Sequence, residues 1–127
     1  MFTAVSVTAY WIIAGLLALF YLYSGGVKII RTPDQLRPMM GWIDTIPLPI
    51  VRAIGALEVA GAIGLILPKL TGVLPGLAVA AAIGLVLVQI GGIALHVSRG
   101  ETKQIGMNIA LLILAIAAAW LTLTTSA

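Results

Sequence analysis

The chain is 127 residues long, enough for one domain; apolar residues make up 61% of it and charged residues 9%. Soluble domains carry about 45–50% apolar residues with glycine included, and about 25% charged residues. Too little polar surface remains to wrap a water-facing globule, which excludes a soluble enzyme and a disordered tail and leaves a membrane protein. The formal charge of +3 is small and scattered, so the basic stripe of a nucleic-acid binder is missing. Cysteine is absent, which excludes disulfides, thiolate catalysis and Cys-ligated metals within the chain.

A bilayer core of about 30 Å takes roughly 20 apolar residues per helix. The first stretch that qualifies runs from Val7 to Ile30. No Lys or Arg precedes Lys28, and the run exceeds the roughly 7–15 residues of a signal-peptide core, so it reads as a span. From Arg31 to Leu48 comes the one long connection. Within it, Thr32-Pro33-Asp34-Gln35 has the pattern of a capped helix start, with Pro at the first helical position and Gln completing a capping box. Met39, Met40, Trp42 and Ile43 beside Arg37 give that segment the make-up of a short helix in the membrane interface, with a plain surface loop as the alternative. The second span is expected from Pro49 to Leu67, the third from Val73 to His96 and the fourth from Ile105 to Thr124. Pro47, Pro49, Pro68 and Pro75 would then fall at helix ends. The expected architecture is all-α, a four-transmembrane-helix bundle forming one domain over residues 1–127.

Lys28, Arg31, Arg37 and Arg52 flank the first loop and Arg99 and Lys103 the third, whereas Lys69 alone marks the other side. That bias places the first and third loops in the cytoplasm and both termini outside. Tyr10, Trp11 and Trp120 would mark the outer interface and Trp42 the inner one.

Ionisable and amide groups inside a bilayer are costly and mark function unless they pair structurally. Five stand in or at the ends of the spans: Lys28, Glu58, Gln89, His96 and Asn108. At 100° per residue, Tyr21, Ser24, Gly25 and Lys28 form one stripe on the first helix, and Gln89, Gly92 and His96 another on the third. Glu58 shares its face with Gly55, Gly61 and Ala62, small residues that admit a neighbouring helix or a flat ligand. At about 1.5 Å per residue, Glu58 and Gln89 lie roughly 10–14 Å deep, near the level of Ser24, while Lys28, His96 and Asn108 lie close to the cytoplasmic surface. The outer halves are almost wholly aliphatic. A polar pocket entered from the cytoplasmic leaflet is expected, with Tyr21, Ser24, Lys28, Glu58, Gln89 and His96 as its ligand-binding residues.

Plainer readings stand beside this one. Lys28 would snorkel to the interface, His96 would cap helical carbonyls, and Gln89 and Asn108 would join helices. Glu58 would then simply pair with Lys28. Ala56, Ala60 and Gly64, like Ala80 and Gly84, repeat every four residues as general packing signals for bundle helices or a dimer. No histidine and carboxylate cluster has metal-ligand spacing, and no Gly-rich phosphate loop joins a strand to a helix.

The runs Ser24-Gly25-Gly26-Val27-Lys28, Gly55-Ala56-Leu57-Glu58-Val59-Ala60-Gly61 and Gln89-Ile90-Gly91-Gly92 leading to His96 resemble the DoxX-like family of small four-helix membrane proteins. Leu36-Arg37-Pro38-Met39-Met40-Gly41-Trp42 is similar to the connecting segment of its bacterial members. The resemblance covers nearly the whole chain and implies a prokaryotic plasma-membrane protein. Relatives include a membrane subunit of a thiosulfate:quinone oxidoreductase, members linked to redox homeostasis, and an animal branch that assists receptor assembly. It therefore implies a quinone or lipid-like ligand and a non-catalytic membrane subunit accessory to an oxidoreductase. Membrane lipids, a redox partner protein and a second copy of the chain are the expected partners, with no nucleic acid. A ligand-free assembly or chaperone subunit is the alternative, and a proton-coupled small transporter a third reading.

Overall fold

The computed structural model describes residues 3–74 and 76–124. Among these, every regular element is helical: α1 (Thr3–Ile30), α2 (Pro33–Leu36), a 3-10 turn (Gly41–Asp44), α3 (Leu48–Thr71), α4 (Leu77–Ser98) and α5 (Thr102–Thr124). The four long helices are each long and apolar enough to cross a bilayer. The chain is a small multi-pass membrane protein. In the ring, α1 packs on α3 and α5, and α4 packs on the same two helices. A central core follows from the spacing of Tyr10, Ala14, Leu17 and Tyr21 on α1, which meet Leu65 of α3, Leu85 of α4 and Ala118 of α5.

The helix ends differ from the sequence expectations for local reasons. α3 continues past Pro68, a proline buried inside its last turn, and stops at Gly72, whose φ of +73° a residue without Cβ adopts freely. Leu74 is also left-handed at φ +49°, so this turn occupies the residues expected to open the third span and α4 begins at Leu77. Pro75 lies outside the described residues. The capping box at Thr32 forms as its sequence requires. Gln35 N–H donates to Thr32 Oγ1 at 3.2 Å, and Thr32 N–H donates to Gln35 Oε1 at 3.0 Å.

The first loop folds down onto the bundle. Leu36 and Ile43 are buried with Val27 of α1 and Val51 of α3, and Arg37 joins the two loop elements by donating to Asp34 at 2.7 Å and to Asp44 at 2.8 Å. Arg52 Nη1 donates to the carbonyls of Lys28 at 2.8 Å and Arg31 at 2.5 Å, satisfying the C-terminal carbonyls of α1 with a cation.

Candidate functional site

The site begins with a close approach of two backbones. Gly25 of α1 faces Gly55 of α3 so tightly that a Cβ on Gly25 would lie 2.6 Å from the Gly55 carbonyl oxygen. This crossing brings Ser24 and Lys28, one helical turn apart, against Glu58. The Lys28 ammonium turns into the bundle rather than out to the interface. It donates to Glu58 Oε1 at 2.7 Å and to Ser24 Oγ at 2.7 Å, and Ser24 donates to the same carboxylate oxygen at 3.2 Å. Lys28 is 6% exposed and Glu58 3%. A buried pair of this kind is tolerated because its charges and hydrogen bonds are matched.

A second cluster lies beside the first. Gln89 of α4 donates to the Tyr21 hydroxyl and accepts at Oε1 from Asn108 Nδ2 of α5 at 2.8 Å. Gly92 gives Asn108 its room, since a Cβ there would stand 2.8 Å from Nδ2. Toward the loops, His96 Nδ1 lies 3.0 Å from Glu101 Oε1, which also accepts from Arg99 Nε at 2.9 Å. Arg99 reaches on to the Gly41 carbonyl at 3.1 Å and to the Thr45 hydroxyl, tying the third loop to the first.

These groups border a cavity of about 910 Å³ between α3, α4 and the first loop. Ser24, Lys28, Glu58, Gln89, His96 and Asn108 form its polar wall, while Leu57, Ala60, Gly84 and Leu87 are among its apolar lining. Tyr21 is fully buried behind that wall and orients Gln89 rather than lining the cavity. No fully buried side-chain nitrogen or oxygen among the described residues lacks a partner. Among the described residues the hydrogen bonds of these side chains fall on Glu58 Oε1 and His96 Nδ1, and both residues line the cavity. Of the small-residue repeats, Ala60, Gly64, Ala80 and Gly84 all border the cavity, and Gly64 also packs closely on α4, a Cβ there falling 2.8 Å from the Ala81 side chain.

The sequence reading missed Glu101, Arg99 and Thr45. Their signal is Gly100, whose φ of +69° turns the chain back so that Glu101 meets His96. At the opposite end Tyr10 is buried rather than interfacial: its hydroxyl donates to the Leu65 carbonyl at 2.7 Å. Lys69 stands 4.8 Å from the Tyr10 ring centre and donates to Thr122 at 3.1 Å.

Two carboxyls in the loops are held below their ordinary range, Asp44 by hydrogen bonds from Arg37 and Glu101 by hydrogen bonds from Arg99 and then His96. Their folded values lie below the ordinary 3.8 and 4.5. The stability they contribute is therefore complete above those ordinary values and is lost as pH falls through the depressed ones. Thermal unfolding in mild detergent is expected to shift downward on acidification in that window, less so in an Asp44→Asn, Glu101→Gln variant. An identical acid limb in both proteins would refute the assignment.

A sequence profile of the DoxX-like family matches residues 12–118. The chain belongs to the DoxX-like family. No curated protein and no solved structure matches it.

Proposed function

We propose that this member of the DoxX-like family binds a quinone or a lipid of similar build and serves as a non-catalytic accessory to a membrane redox reaction. The observation that carries the reading is the division of the larger cavity into a polar wall and an apolar remainder. Ligand sites of about 300–1,000 Å³ commonly combine a mostly apolar lining with a few placed polar groups. On this reading the head group lies against Ser24, Lys28, Glu58, Gln89 and His96, and the isoprenoid or acyl tail follows the apolar lining. Lys28 has three N–H donors and two are engaged within the protein, so one remains for a ligand oxygen. His96 Nε2 and Glu58 Oε2 supply the other contacts, and the carboxyl holds or gives up a proton. With no cysteine in the chain, electrons pass between the ligand and a partner protein.

The contact of Arg99 with Gly41 and Thr45 puts the first and third loops at one end of the bundle. The Lys and Arg bias supports a cytoplasmic position for that end in a prokaryotic plasma membrane.

Trp42 lines the cavity and is one of three tryptophans. In a Trp11→Phe, Trp120→Phe background, titration with a short-tailed quinone in mild detergent is expected to quench its fluorescence saturably. Gly84→Leu should abolish that quench. A Cβ at Gly84 meets nothing within 4 Å, so a side chain can start from this lining position and take up cavity space. Glu58→Gln should weaken it. Equal quenching in all three proteins would mean that quinone merely partitions into the micelle, and would favour an assembly subunit whose polar residues only join helices.

A further inference from the structure

A second cavity, of about 280 Å³, adjoins the polar wall from the other side. It lies between α1, the first loop and α5, and its lining includes Tyr23, Gly41, Glu101 and Gln104. Ser24, His96 and Asn108 line both cavities, so the two meet at the wall. Their surroundings differ. The larger is bordered by exposed apolar residues of spanning helices, Leu57 and Leu87 among them. At the smaller one, Gly41 and Gln104 are exposed and Glu101 is partly covered, all at the level of the loops.

His96 stands where the two cavities meet, with one ring nitrogen on each task. Nδ1 is held by the Glu101 carboxylate at 3.0 Å, while Nε2 has no hydrogen-bond partner among the described residues. A carboxylate on one nitrogen fixes the tautomer and leaves the other nitrogen as an acceptor. The charged groups around the ring are Glu101 and, through it, Arg99 on the connecting turn, with Lys28 of α1 and Glu58 of α3 on the same wall. The first loop and α5 contribute only uncharged residues to the two cavity linings beyond Glu101.

We infer that His96 and Glu101 form the point where the buried polar wall exchanges protons with water, reached through the smaller cavity. The exchange passes through the imidazolium, paired with the Glu101 carboxylate. A proton gained at Nε2 from the larger cavity is matched by one lost from Nδ1 through Glu101 to water. The reverse passage restores the Nδ1–H ring, so nothing else is consumed. The inference rests on the ligand reading for what receives the proton, but not for the route.

His96 is the only histidine in the chain, so its signals need no assignment. Deuterium exchange at its ring carbon between the two nitrogens, read by mass spectrometry in D₂O, is expected to proceed in the wild type. Gln104→Trp, which covers the smaller mouth, should slow it several-fold, and Gly84→Leu, which fills the larger cavity, should leave it unchanged. In ¹⁵N spectra the neutral ring should carry its proton on Nδ1, and Glu101→Gln should lose that preference. No slowing in Gln104→Trp, slowing in Gly84→Leu, or an unchanged tautomer in Glu101→Gln would each overturn the inference. No ligand is added in either experiment, so both results stand apart from whether the larger cavity holds a quinone.

Discussion

Lys28→Met is expected to lower stability by about 3–5 kcal/mol, because it leaves the Glu58 carboxylate buried without its cation. The two groups are 2.7 Å apart and nearly inaccessible, so water replaces the lost partner poorly. Ser24 would remain as a donor to the carboxylate, which is not enough to match a full charge at this depth. The paired substitution Lys28→Met with Glu58→Leu should recover most of the loss, since well-packed apolar residues often replace a buried ion pair at little cost. Unfolding followed by circular dichroism in mild detergent measures both. If the double variant were as unstable as the single one, the damage would come from packing and not from an orphaned charge.

The second large effect is expected at the glycine crossing. A Cβ on Gly55 would stand 2.7 Å from the Gly25 carbonyl oxygen and 2.7 Å from Lys28 Cβ. Neither atom is the far end of a flexible side chain, so α1 and α3 must separate. Overpacking of this kind costs about 1–3 kcal/mol. Separation would also draw Lys28 and Ser24 away from Glu58, so Gly55→Ala should weaken quinone quenching as well as lower the unfolding midpoint. Gly26→Ala is the matched control, because a Cβ there meets nothing within 4 Å, and alanine is the better helix former. Equal behaviour of the two variants would show that the close crossing is not what holds the site together.

Much of this arrangement is legible in the residues. The four spans follow from long apolar runs, because the bilayer sets a length that local sequence must meet. The Thr32 capping box is legible because its partners are only three residues apart. The stripe of Tyr21, Ser24 and Lys28, and the small residues beside Glu58, follow from helical periodicity and foreshadow the side of α1 that meets α3. Periodicity does not say which helix fills which gap. That is why the division of the polar residues into a Lys28–Ser24–Glu58 cluster and a Tyr21–Gln89–Asn108 cluster had to come from three dimensions. The same holds for Tyr10: an aromatic near a helix end looks interfacial, but the hydroxyl finds a carbonyl on α3 across the core. Glu101 is hidden because it meets His96 of the polar wall only through the turn at Gly100. Pro68 misled for a different reason: α3 carries it in the last turn at the cost of one backbone hydrogen bond, and the actual stop is Gly72.

The central claim is that the larger cavity holds an apolar-tailed molecule by its polar head. Native mass spectrometry of protein purified in mild detergent, combined with lipid extraction, tests it most directly. Wild type and Glu58→Gln are to be compared with Gly84→Leu, which leaves the polar wall intact. The account predicts one quinone or specific lipid per wild-type chain, diminished in Glu58→Gln and absent from Gly84→Leu. Matching masses with no retained molecule in all three proteins would contradict it.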